Sequence, residues 1–395
     1  MKKIISILAA FAAVISANAQ KPTDIYYTVE KGSHVYVCNA NTGQSYMLEA
    51  DNAKAFNIGI DNDHNVYVLV GSYLRGDLYH NFRVFKNGKL YQSFLDSGDQ
   101  SFSSMAMKVV GNDVVVAGVE SKKFNSRGYQ ARLVGYVNKV RVYQTDWERK
   151  SLKRDQFKGF CDIKGSGTKT KVVPATNYNS LFTDDVESRV YYVAAVDYVG
   201  GYIYTTGWGE REFTETPVGY QKQYLVRRCP RVWKNGKEII QQYENRTGAA
   251  YSINVMRDGQ NILTSGHQRD HICGWDGNKD MITDNDMRNY IKKEAVVYGG
   301  MVDGVPVFTR MLISSQNYLC YVNTRSQGNQ SLMSVKSGNY TDVVAVGNDF
   351  YALSKSEKRV YKFSCSNWLR DDYDVTVICS LNDDIVYDSL LAVHK

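Results

Sequence analysis

The chain is predicted to be all-β and to fold as a β-propeller, and three observations carry that prediction. A seven-residue segment ending in a tight turn recurs at a fixed offset, apolar strand pairs recur through most of the chain, and no stretch shows the period of an amphipathic helix. Thirty Tyr and 31 Gly against only five Pro in 395 residues suit strands joined by tight turns.

The repeat is read first because its period decides the fold. Arg83-Val84-Phe85-Lys86-Asn87-Gly88-Lys89 matches Arg231-Val232-Trp233-Lys234-Asn235-Gly236-Lys237 at an offset of 148, and the register continues to pair Gly111 with Gly259 and Gly118 with Gly266. Asn-Gly favours a two-residue hairpin, since both central residues of a type I′ turn take positive φ. Each unit reads as two apolar strands around a turn, the second ending in Gly, then a loop, a third strand, an Asn-Gly turn and a fourth strand. The first hairpin spans 105–118 and recurs at 56–71, 194–207, 251–266, 295–309 and 342–354.

Six units are thus visible, and a seventh can be assembled from the two ends. Residues 385–393 would supply its innermost strand, and 25–29, 35–38 and 45–48 its outer three. Closing the ring in this way removes the open edge that a linear array would leave. The expectation is seven four-stranded blades, with six as the alternative if the ends pair differently. No linker divides residues 20–395, so they are expected to form a single domain. One interruption, about 144–188, is expected as a long loop between the third and fourth strands of its unit.

The N-terminus has the three parts of a secretory signal peptide. Lys2 and Lys3 precede a short apolar run, and Ala17-Asn18-Ala19 offers a small-residue cleavage site, so residues 1–19 are expected to be removed. The apolar run is shorter than the roughly 20 residues that span a bilayer. The expectation is export to the periplasm, medium or cell surface, with no transmembrane segment in the mature chain. The WKNG turn and the Gly-Asn-Asp strand pairs at 111–113 and 347–349 resemble the repeats of secreted propellers associated with the Bacteroidota. That resemblance implies a propeller and an export route, and it transfers no catalytic residue.

After removal of 1–19 the chain holds 46 basic and 41 acidic residues, a net of +5. Eight of the basic residues lie between Arg149 and Lys171 against only Asp155 and Asp162. The rest is near neutral, which excludes a general nucleic-acid surface. The basic segment suits a solvated loop or a contact with anionic polysaccharide or lipid head groups.

Seven Cys in so long a chain do not make a disulfide scaffold. Cys365 and Cys379, on what reads as a paired third and fourth strand, are the best disulfide candidates. His267-x-x-x-His271 near Cys273 and Asp276-x-Asn278-x-Asp280 imitate metal motifs but fall on strand starts and turns, so no metal and no cofactor is expected. Trp233 and Trp275 fall at the repeat position of Phe85 and are read as blade core.

Loops following the second strands gather on one face of a propeller, where function is commonly carried. They would bring together Tyr73, Arg75, Glu120, Trp208, Glu210, Arg211, His267, Arg269, Asp270 and Arg310. A Trp beside polar side chains suits a glycan or a peptide. The leading expectation is a monomeric binding or scaffold module for a glycan, peptide or envelope protein. A polysaccharide hydrolase or lyase is the first alternative, requiring two facing carboxylates, and a purely structural envelope component the second.

Overall fold

A computed structural model describes residues 23–50, 52–73, 79–95, 100–125, 128–150, 157–164, 171–174, 191–215, 223–241, 248–256, 259–268, 271–280, 297–302, 305–313, 316–326, 329–337, 340–346, 349–367, 372–386 and 389–394. Their strands form seven separate sheets. In chain order the innermost strands are Ala53–Ile60, Gln100–Val110, Tyr191–Val199, Gly248–Val255, Val297–Val302, Tyr340–Val346 and Leu391–His394. Each packs against the next, and the last packs back on the first, so the ring closes as a β-propeller. We number the sheets from the one holding both chain ends, the closing sheet, to the seventh, which ends at Asp372–Ser380.

The Asn of the turn motif has a structural task. Asn87, Asn138 and Asn235 take φ of 48°, 48° and 46°. Each side-chain oxygen accepts the N–H that opens its sheet's second strand, from Val66, Val114 and Ile203 at 2.8–2.9 Å. Each Asn N–H in turn donates to the carbonyl of that same residue. The turn therefore does more than reverse the chain, because it pins the third and fourth strands to the second.

Asn138 also corrects the placement of the insertion. Asn138 and Lys139 both have positive φ, so they form this turn without a Gly, and Val140–Gln144 completes the third sheet. The segment from 144 onward thus follows a finished sheet instead of splitting its last hairpin. It is also not all loop. Glu148–Lys150 pairs with the third sheet, and Phe157–Lys164 runs parallel to the third strand of the fourth sheet and pairs with Lys171–Pro174.

The repeated Gly does not end its strand. Gly118, Gly207 and Gly266 lie inside Asp113–Asn125, Tyr202–Glu215 and Ile262–Gln268. Beside each one the innermost strand bulges, at Ser103, Ala194 and Tyr251. A Cβ on these glycines would strike the carbonyl oxygens of Ser104, Tyr192 and Ala249. Gly is thus a packing requirement of the bulge.

Innermost strands of neighbouring sheets share no backbone ladder, and side chains join them instead. Asn57 accepts the Met107 N–H at 2.8 Å, Ser104 accepts Val193 N–H at 3.0 Å, and Asp342 accepts Leu391 N–H at 2.8 Å. Asp197 joins three strands, accepting the Val255 N–H at 2.7 Å and the Lys108 ammonium at 2.5 Å. The space between sheets is filled by aliphatic and aromatic side chains, Trp233 and Trp275 among them, both buried as their repeat position implies.

Closure uses a shorter strand than expected. Leu391–His394 pairs with Asp24–Lys31, while residues 381–386 and 389–390 are irregular. Asp383 anchors the crossing into the closing sheet by accepting bonds from Lys31 at 2.7 Å, Tyr27 at 3.0 Å and the Cys38 thiol at 3.4 Å. The Lys31 ammonium holds the Asp383 carboxyl below the usual carboxylate range, against the opposing effect of burial, with Tyr27 and Cys38 assisting. Burial, followed by the Asp383 charge, pushes the Cys38 thiol up to about 12, so it remains a donor at neutral pH.

The Cys365–Cys379 pairing is not formed. The register sets Cys365 opposite Tyr373 and Cys379 opposite Val360, far apart along the hairpin, and Cys379 is a free thiol.

Two outcomes follow. Gly207→Ala is expected to lower stability by about 1–3 kcal/mol, whereas Gly209→Ala, whose new methyl would sit 3.4 Å from Arg231 Cγ, leaves the urea midpoint nearly unchanged. A carboxyl depressed in the folded state stabilises above its unfolded pKa of about 3.9 and loses that contribution as pH falls through the folded value. Asp383→Asn should therefore cost about 1–3 kcal/mol at pH 7, with the gap from the parent narrowing below about pH 4 in denaturant titrations run across pH.

Candidate functional site

The residues expected on the loop face mostly lie on strands, because the second strands continue past their glycines. Glu120 is fully buried and accepts the Arg132 guanidinium at 2.5 Å and that of Arg141 at 3.3 Å. Glu210 faces Arg228 at 2.7 Å, and each side chain is only 2% exposed. Trp208 is buried between the fourth and fifth sheets, stacked on Tyr192 at 5.6 Å with the Arg228 guanidinium 4.2 Å from its ring. The expectation that these three bind a ligand is corrected. Burying a charge is costly unless it is paired, and here each charge has its partner inside the protein.

Tyr73, Arg211, His267 and Arg310 also lie on strands, and only their backbone is described. Arg75, Arg269 and Asp270 fall outside the described residues. Among the described residues, no group of three or more His, Cys, Asp or Glu is placed to hold a metal ion. Asp61, in the Asp-x-Asp-x-Asn turn, turns its oxygens inward to Asp63 N–H, Asn65 and the Tyr67 hydroxyl.

A recess of about 540 Å³ opens elsewhere, between the closing sheet and the second sheet. One wall is the third strand of the second sheet, Tyr79–Lys86, whose residues 81, 83 and 85 share a face by the two-residue alternation of a strand. Phe85 is buried and forms the floor, and Asn81 and Arg83 stand above it, half-buried. Ser72 on the adjoining strand accepts a bond from Arg83 at 3.2 Å. Glu49, Ala50 and Asn52, from the segment crossing into the second sheet, make the opposite wall, and Lys89 and Leu90 form the rim. Gly88, at φ 80°, lets the Tyr46 ring of the closing sheet lie against the turn, which brings the two walls together.

This recess was not anticipated, although its strand is the motif strand itself. The signal lay in Arg83, which the repeat shares with Arg231. Read only as part of a turn motif, it looks structural. Through its described residues the recess offers an aromatic floor, amide and hydroxyl groups able to hydrogen-bond a polar ligand, two cations and one carboxylate. Its volume is within the range of small-ligand sites, about 300–1,000 Å³.

No family model matches the chain, and no curated protein matches it in sequence. Among solved structures it is similar to the Dos1 propeller, at 9% identity and a TM-score of 0.43, covering 91% of this chain and 83% of that one. It is also similar to the β-propeller domain of the Trilobed protease from Pyrococcus furiosus, at 12% identity and a TM-score of 0.40, covering 91% and 98%. A third is the periplasmic gluconolactonase of Pseudomonas aeruginosa, at 10% identity and a TM-score of 0.35, covering 94% and 99%. Similarity at this level concerns the fold alone.

Because Glu210 is part of the packing, Glu210→Ala is expected to cost about 3–5 kcal/mol by leaving Arg228 buried without its carboxylate, read as a lowered chemical-denaturation midpoint.

Proposed function

We propose that this protein is an exported propeller that binds a glycan, peptide or envelope protein, and that the recess between the closing and second sheets is the seat. The observation that carries the reading is the composition of that recess, in which hydrogen-bonding side chains surround a buried aromatic floor on a rigid sheet. Groups held on strands lose little freedom when a ligand arrives, which favours recognition. Hydrolysis of a glycosidic bond ordinarily needs two carboxylates flanking it, about 5–9.5 Å apart. Among the described residues of the lining, Glu49 supplies the one carboxylate, and this reading therefore places binding ahead of catalysis.

The export route rests on the N-terminal leader pattern, with the periplasm, medium or cell surface as destination. The basic segment beginning at Arg149 is a second contact surface in this reading, suited to anionic polysaccharide or lipid head groups through long-range attraction, screened over about 8 Å at physiological salt.

Calorimetric titration of residues 20–395 against glycans, peptides and purified envelope fractions tests the proposal. Asn81→Ala with Lys89→Ala should weaken the binding found by about tenfold or more, the equivalent of about 1.4 kcal/mol. Binding untouched by that pair of changes would place the seat elsewhere.

A further inference from the structure

The offset of 148 relates the second sheet to the fourth residue by residue, and one difference between the two copies falls at the recess. In the fourth sheet Arg231 is 3% exposed and its Nε lies 3.3 Å from Glu238, a carboxylate on the adjoining outer strand. In the second sheet the matching residues are Arg83 and Leu90. The backbones correspond closely. Trp233 faces Glu238 after a bulge at Val232/Trp233, and Phe85 faces Leu90 after a bulge at Val84/Phe85. The position that holds a carboxylate for the Arg in one sheet therefore holds an apolar side chain, 58% exposed, in the other.

Arg83 keeps a neutral partner, the Ser72 hydroxyl, and a guanidinium has five N–H donors. Its fork matches a carboxylate in a bidentate manner, which a single hydroxyl cannot reproduce. Among the described lining residues, the other cation, Lys89, is on the rim, and Glu49 is the one acid. An anionic group entering above Phe85 would take the place that Glu238 holds in the fourth sheet.

We propose that the recess recognises a carboxylate-bearing sugar, a uronic acid within a glycan, with Arg83 binding the carboxylate in place of the acid missing at position 90. The inference rests on the recess being the ligand seat. A sugar is favoured over a peptide because the remaining lining, Asn52, Asn81 and Ser72, consists of side-chain amides and a hydroxyl suited to ring hydroxyls.

The test uses residues 20–395 titrated with an oligogalacturonate, its methyl ester, and an acidic peptide in free-acid and amide forms. The oligogalacturonate should bind about tenfold or more tightly than its ester. Arg83→Gln should reduce it to the level of the ester. Leu90→Glu, which restores at the second sheet the acid of the fourth, should do the same by occupying Arg83 from within, and its melting temperature should stay at or above that of the parent. Equal binding of acid and ester, or acid binding unaffected by Leu90→Glu and Arg83→Gln, overturns the carboxylate inference. If Asn81→Ala with Lys89→Ala still weakens binding in that case, the recess stands as the seat. Binding of the free-acid peptide alone overturns the choice of a sugar. Binding of none of the four probes overturns the inference, and the seat is then judged by the wider ligand set.

Discussion

The architecture depends on how seven innermost strands are held against one another without a shared backbone ladder. Most of their N–H and C=O groups pair within their own sheets, so contact between sheets rests largely on side chains, with isolated backbone bonds such as Ala53 N–H to the Ser33 carbonyl at 3.1 Å. Asn57, Ser104, Asp197 and Asp342 meet that demand by accepting backbone N–H groups of the next strand, and Asp197 reaches both of its neighbours. Such bonds cost little to satisfy in place and much to leave unmade, because each donor sits where water is scarce. The bulges serve the same end, turning the innermost strands so that these groups meet, and the repeated glycines make room for them.

A second layer of order comes from the hairpin Asn. By joining the last turn of a sheet to the start of its second strand, it fixes the stagger between strands that the hydrophobic pattern alone would leave free to slip by two residues. Both walls of the recess inherit that precision. Asn87 fixes where the strand carrying Asn81, Arg83 and Phe85 ends against the second strand, and Gly88 of the same turn admits Tyr46 from the closing sheet.

Much of this was legible in the sequence. The 148-residue register exposed the repeat, and with it the all-β ring and the assembly of the closing sheet from both ends. Two features were hidden for physical reasons. The third sheet's turn uses Asn138-Lys139, and a turn that obtains positive φ without Gly gives no compositional signal. The glycines at 118, 207 and 266 look like strand ends, since a Gly required by an approaching backbone and one required by a turn are the same letter. That misreading moved Glu120, Trp208 and Glu210 onto a loop face, when they belong to long strands that bury them. The recess escaped notice because its decisive feature is a difference between two copies, Leu90 against Glu238, whereas a search for repeats attends to what is shared.

The seam has a consequence for how the molecule comes apart. Six sheets are built from contiguous chain, but the closing sheet is joined to the ring's end by four residue pairs, the Thr28–Leu390 and Asp342–Leu391 bonds and the Asp383 crossing. Opening there releases the innermost strand of one sheet and exposes the apolar flanks of two neighbours together, with no other sheet yet disturbed. Of the seven sheets this is the one that draws its strands from both parts of the chain, so parting Leu391–His394 from Asp24–Lys31 would open the ring without breaking a hairpin.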